Sequence, residues 1–81
     1  MEITFDERKR RSNITKHGFD FDELDVAFFE AAAVVPAKHD RLMAVGRFDT
    51  TVVTVIFKLM GREGLSVVSM RIASSKERLF L

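Results

Sequence analysis

The sequence predicts an α+β fold: two N-terminal helices packed on a small antiparallel sheet, with a short C-terminal helix. Three observations carry this expectation. Helix-start signatures at Asp6 and at Asp20-Phe21-Asp22-Glu23 fall in the first third of the chain. Apolar, β-branched runs at 42–45, 52–57 and 65–72 are separated by turn-forming residues at 47–50 and 61–64, so the strands follow one another as a meander. Ser74-Ser75-Lys76-Glu77 then repeats a helix-start signature directly after the last strand. The 81 residues contain no repeat, linker or low-complexity segment and are read as one domain, 1–81.

Taken in order, Ile3 and Phe5 alternate with polar neighbours as in a short edge strand. Asp6 is the expected N-cap of a helix running to His17, and Gly18 supplies the left-handed residue that ends it. Lys16 and His17 place positive charge at the C-terminal end of the helix dipole. Lys9, Asn13, Lys16 and His17 share one stripe of this helix, which leaves Ile14 as its apolar anchor. That stripe either faces a ligand or is a solvated helix face.

A second helix is expected from Asp20, with Glu23 completing a capping box and Phe19 stapled to Leu24. Phe21, Leu24, Phe28 and Ala31 would form its buried stripe, and Asp22, Asp25 and Glu30 its wet face. The phenylalanines stand among acids, so they are read as core rather than as a base-stacking platform. Residues 32–35 form an apolar run closed by Pro36, which fits a sheet edge. Residues 38–40 make a loop. The run 52–57 is β-branched on both faces and is expected at the centre of the sheet, the helices covering one side and leaving the other for a partner. In the last strand Arg71 precedes the helix that holds Glu77 and Arg78, so guanidiniums meet a helix start where a phosphate can be gripped. The capping box also offers Glu77 a purely structural task, bonding back to the Ser74 amide.

No apolar stretch approaches the roughly 20 residues of a membrane span. The N-terminus lacks a signal-peptide layout and there is no cysteine, so a soluble, cytoplasmic protein is expected. Charge is segregated: residues 1–18 hold five Lys or Arg against three Asp or Glu, residues 19–40 one against six, and residues 41–81 seven against three. Separate basic and acidic faces suit one polyanionic ligand and one basic protein partner, the acidic helix at 20–30 being the docking face. His17 and His39 lie in different elements without a third ligand nearby, so no metal or other cofactor is expected. Neither a nucleophile elbow nor a phosphate-cradling glycine loop occurs. What the residues allow is metal-free phosphoryl chemistry on RNA. Lys16, Arg41, Arg47, Arg71 and Arg78 are the candidates to stabilise phosphorane charge, and His17 and Glu77 those to move protons. On residue chemistry alone an enzyme and a binding module both remain open.

Phe5-Asp6, Lys9, Asn13, Lys16-His17-Gly18, Phe21 and Glu23 resemble the opening pattern of the BrnT family of type II toxin–antitoxin toxins. Arg41 with Gly46-Arg47, and Ser69-Met70-Arg71-Ile72-Ala73 with Glu77-Arg78, are similar to its later strands and its ending. The resemblance spans nearly the whole chain. It implies a RelE-like fold and a metal-independent endoribonuclease that inhibits translation. It also implies neutralisation by a BrnA-type ribbon-helix-helix antitoxin, the pair touching operator DNA through the antitoxin complex. Carried over, Arg71, Lys16, His17, Glu77 and Arg78 would be catalytic, and Lys9, Arg41 and Arg47 would hold RNA phosphates. If the first helix packs across the sheet near the C-terminal end of the last strand, Lys16, His17 and Arg71 could meet over one phosphate. Two departures are Met70 where the family usually has alanine and Leu81 where it often has tyrosine. They keep a second reading open, a catalytically weakened toxin fold that holds the antitoxin and assists repression.

Overall fold

The strand richest in β-branched residues, Thr51–Met60, lies at the middle of a five-stranded sheet in the computed structural model, which describes residues 1–81. In chain order the elements are β1 (Glu2–Phe5), α1 (Glu7–His17), a 3-10 turn (Phe21–Glu23), α2 (Val26–Ala31), β2 (Ala33–Pro36), β3 (Leu42–Phe48), β4 (Thr51–Met60), β5 (Gly64–Ile72) and α3 (Ser75–Arg78). Across the sheet the strands run β1-β5-β4-β3-β2. The central strand and the edge strand carrying Pro36 are where the residue pattern puts them. The sheet, however, is mixed rather than antiparallel, because β1 runs parallel to β5. Ile3 pairs with Leu65 and Phe5 with Val67, and all four pack in or against the core. This pairing joins opposite ends of the chain, so no turn residue announces its direction.

One face of the sheet is the core. Val53, Val55 and Phe57 of β4, Leu65, Val67 and Met70 of β5 and Ala44 of β3 pack against Phe21, Leu24, Phe28 and Phe29. The second helix is not continuous. Leu24 is extended, at φ −75° and ψ 143°, and Asp25 starts α2 afresh by accepting the Phe28 N–H at 2.9 Å. Asp20 caps only the short 3-10 turn, through the Asp22 N–H, so the expected Glu23 bond does not form. The break buries both Phe28 and Phe29 and leaves Ala31 exposed. Phe19 meets Phe48 edge-on, with ring centroids 6.1 Å apart. Gly46 is needed beneath α2, because a Cβ there would stand 3.0 Å from Phe28 Cε1 and 3.1 Å from Ala32 Cβ.

Helix α1 has the predicted limits: Asp6 accepts from the Arg8 and Lys9 amides, and Gly18 takes φ 78°. Its anchor differs. Ile14 is 38% exposed, whereas Asn13 is 5% exposed and bonds to the sheet. Pairing with β1 ends at Val67, which leaves the next part of the β5 edge open. Asn13 fills that gap by accepting the Met70 N–H at 3.0 Å and donating to Met70 O at 2.8 Å and Phe19 O at 3.0 Å. Arg10 adds a two-pronged pair with Asp20, at 2.7 and 2.9 Å, which ties α1 to the 3-10 turn.

A bulge in β5 decides what the other face displays. Ile56 pairs with Ser69 but Phe57 pairs with Val67, so Val68 is the extra residue. Strict alternation from Leu65 and Val67 would send Arg71 into the core. The bulge resets the alternation, turning Met70 inward and Ser69 and Arg71 to the opposite face beside Ile56 and Thr54. That face is where the candidate site lies.

Candidate active site

Arg71 pairs across the sheet with Thr54, and immediately after β5 the chain turns so that Ser74 caps α3. The capping box forms as predicted: Ser74 Oγ accepts the Glu77 N–H at 3.1 Å, and Glu77 Oε1 accepts the Ser74 N–H at 2.8 Å. The same carboxylate reaches the sheet. Its Oε1 also accepts Thr54 Oγ1 at 2.8 Å and Arg71 Nη1 at 2.7 Å, while Oε2 accepts Arg71 Nη2 at 2.9 Å. Glu77 is thus both the helix cap and the bracket of Arg71, and its side chain is 14% exposed. The hydrogen bonds from Arg71 hold the Glu77 carboxyl down to about 2, against burial that pushes it up, with the Ser74 amide and the Thr54 hydroxyl adding to the lowering. The Arg71 guanidinium is raised in turn by its bonds to Glu77. Glu77 is therefore ionised and saturated with donors at neutral pH, which suits it to position Arg71 rather than to carry a proton.

This yields a pH prediction. A carboxyl whose folded pKa is depressed contributes stability fully above its unfolded value, near 4.5, and loses it as pH falls toward about 2. Denaturation of the wild type and of Glu77→Gln across pH 7 to 2 should differ most at neutral pH and converge as the acid end is reached. Parallel curves would mean that the Arg71–Glu77 pair is not formed in solution.

Arg71 opens onto a cleft of about 420 Å³ whose floor is Met43 and Ile56 and whose wall is the β2–β3 loop, with Lys38, His39 and Arg41. Arg41 Nε is buried there with no hydrogen-bond partner. No carboxylate lines this cleft. The loop is a tight turn in which the Arg41 N–H donates to Lys38 O at 3.3 Å, and His39 and Asp40 take φ of 60° and 59°.

The remaining predicted residues divide differently. Lys9, Asn13, Lys16 and His17 line a second groove, of about 390 Å³, with Arg8 and Ser12 of α1 and with Val68 and Ser69 of β5. The structure thus seats Lys16 and His17 in one groove and Arg71 in another. Arg47 lies in a third recess beside Glu23, Asp25, Phe48 and Asp49. Arg78 is exposed on α3. In the acidic stretch Asp22 and Glu23 are exposed, and Asp25 serves as the α2 cap. Lys38 and His39 were missed by sequence reasoning, because a loop has no periodicity and only the fold of β2 onto β3 brings them to Arg71. No helix is long and apolar enough to cross a membrane.

No curated protein matches the chain. A family model described as "Ribonuclease toxin, BrnT, of type II toxin-antitoxin system" matches residues 5–77. The chain is also similar to the Brucella abortus ribonuclease toxin BrnT, known from a 1.1 Å crystal structure, with 54% identity and a TM-score of 0.87 over 93% of this chain and 99% of that one. The family match runs from the inward-facing phenylalanine of β1 to the carboxylate that brackets Arg71, and it takes in the α1 groove and the β2–β3 loop. The chain belongs to the BrnT family of ribonuclease toxins of type II toxin–antitoxin systems.

Proposed function

We propose that this protein is a metal-independent endoribonuclease that cleaves RNA in the Arg71 cleft and thereby inhibits translation. The observation that carries the reading is the cleft itself: Arg71, Arg41 and Lys38 converge around it without an opposing carboxylate, and Glu77 locks the Arg71 fork in place. Such a setting favours the dianionic phosphorane over the monoanionic phosphodiester, because fixed cations act most strongly where charge develops. In the reaction O2′ bonds to phosphorus and the P–O5′ bond breaks, leaving a 2′,3′-cyclic phosphate and a 5′-hydroxyl. Lys9, Lys16 and His17 would hold further phosphates of the same strand along the α1 groove, and the exposed Arg47 and Arg78 would serve as outlying contacts. The antitoxin partner would be of the BrnA ribbon-helix-helix type, acting in the cytoplasm and contacting operator DNA on behalf of the pair.

One observation favours a second reading: Glu77 already occupies the two-pronged edge of Arg71, as in a weakened toxin fold kept for antitoxin binding. The deciding experiment is cleavage of a mixed-sequence RNA by the purified protein in EDTA, beside DNA of the same sequence. Cleavage of RNA alone, with cyclic-phosphate ends, is expected. Absence of cutting with and without magnesium would leave the binding-module reading.

A further inference from the structure

We propose that His39 is the general base that takes the proton from the attacking 2′-hydroxyl, an assignment that rests on the ribonuclease reading above. Lys38, Arg41 and Arg71 are cations that can donate protons or stabilise anions, but none offers a lone pair. Met43 and Ile56 are apolar. Glu77, which reaches Arg71 from α3, spends its oxygens on Arg71, Thr54 and Ser74. His17 belongs to the α1 groove. The imidazole of His39 is the one side chain lining the cleft that offers a ring nitrogen lone pair to a proton.

Residues 38–41 make a tight turn, closed by the Arg41 N–H on Lys38 O, whose central pair, His39 and Asp40, both lie in the left-handed region. Such a turn prefers Asn-Gly or Asp-Gly, because the left-handed region crowds a Cβ. A histidine at its first position breaks the local rule, and side chains held in disfavoured backbone regions concentrate at functional sites. Here the strained position is also the one that lines the cleft beside Arg71.

In the proposed step a His39 ring nitrogen takes the 2′-OH proton as the O2′ electron pair forms the bond to phosphorus. The P–O5′ pair leaves on O5′, which is protonated by the Lys38 ammonium or by water. Nearby charges are Lys38, Asp40 and Arg41 on the same loop, Arg71 on β5 and the Glu77 carboxylate held by Arg71.

The test is His39→Asn, which suits the left-handed turn but cannot accept a proton. Two substrates are used, a short RNA and a uridine 3′-phosphodiester with a 4-nitrophenyl leaving group. Loss of a general base lowers kcat by roughly 10²- to 10⁴-fold. This loss is expected on both substrates, with KM little changed, the melting temperature unchanged or raised, and the acid limb of the wild-type pH profile removed. An active wild type with an equally active His39→Asn variant would overturn the proposal. A loss confined to the RNA would also overturn it, since an activated leaving group dispenses with a general acid and not with a base. If the wild type cuts neither substrate, the ribonuclease reading falls first and the role of His39 falls with it.

Discussion

Arg71→Ala is expected to lower kcat for RNA cleavage by roughly 10²- to 10³-fold, the range seen when one fixed donor to a developing anion is removed. The magnitude follows from how the side chain is held. Two hydrogen bonds to Glu77 fix the plane of the guanidinium, and Glu77 is fixed in turn by Thr54 and by the Ser74 amide. Little reorganisation remains when charge develops on phosphorus. The variant also strands a mostly buried carboxylate, and loss of this partly exposed pair should cost about 1–2 kcal/mol of stability. A melting curve must therefore accompany the rate. Glu77→Ala separates the two effects. If Arg71 mattered only through the structure of the pair, both variants would lose the same activity. Because Arg71 is proposed to touch the phosphate and Glu77 only to aim it, Glu77→Ala should lose about tenfold and Arg71→Ala far more. Wild-type rates from a folded Arg71→Ala protein would remove the cleft as the site.

The parts of this site that were legible in the sequence are those written in local chemistry. The Ser74–Glu77 capping box, the limits of α1 and the β-branched central strand are each specified by neighbouring residues, and the structure contains all three. The parts that were not legible depend on distant pairing. No local signal marks Val68 as a bulge, yet that one residue turns Arg71 out of the core. Nothing in residues 2–5 says that they lie parallel to 64–67. The break at Leu24 is a competition between two aspartate caps, Asp20 and Asp25, and the shape of the core settles it by burying Phe28 and Phe29 together. Lys38 and His39 enter the cleft only through a hairpin whose central residues lack the usual turn preference. Leu81 lines a different recess from the Arg71 cleft, beside Phe28 and Phe48.

Asn13 shows the same limit from the side of stability, and it carries the largest expected effect on folding. Helical spacing groups Asn13 with Lys9, Lys16 and His17, which makes it look like one more polar group aimed at a ligand. Its neighbours in space say otherwise. At 5% exposure it satisfies the Met70 N–H, Met70 O and Phe19 O, along an open stretch of the β5 edge. Asn13→Ala removes three hydrogen bonds and leaves backbone groups without partners in a place water reaches poorly. Each such bond contributes about 1 kcal/mol net, and each stranded buried group costs about 1–3 kcal/mol. A total loss of about 3–5 kcal/mol is expected. Domains have only about 0.05–0.15 kcal/mol of stability per residue, so this is a large share of the whole. At about 4–8 °C per kcal/mol for a chain this small, the melting temperature should fall by on the order of 20 °C. Asn13→Asp sharpens the test. It keeps the acceptor for Met70 N–H but turns a carboxylate toward two carbonyl oxygens, so it should be at least as damaging at neutral pH. Its stability should partly return on acidification, when the protonated carboxyl can donate once. A ligand-facing Asn13 would behave in the opposite way, with unchanged melting and weakened RNA binding in both variants. That outcome would return α1 to the role its polar stripe suggests and would leave the β5 edge without its clamp.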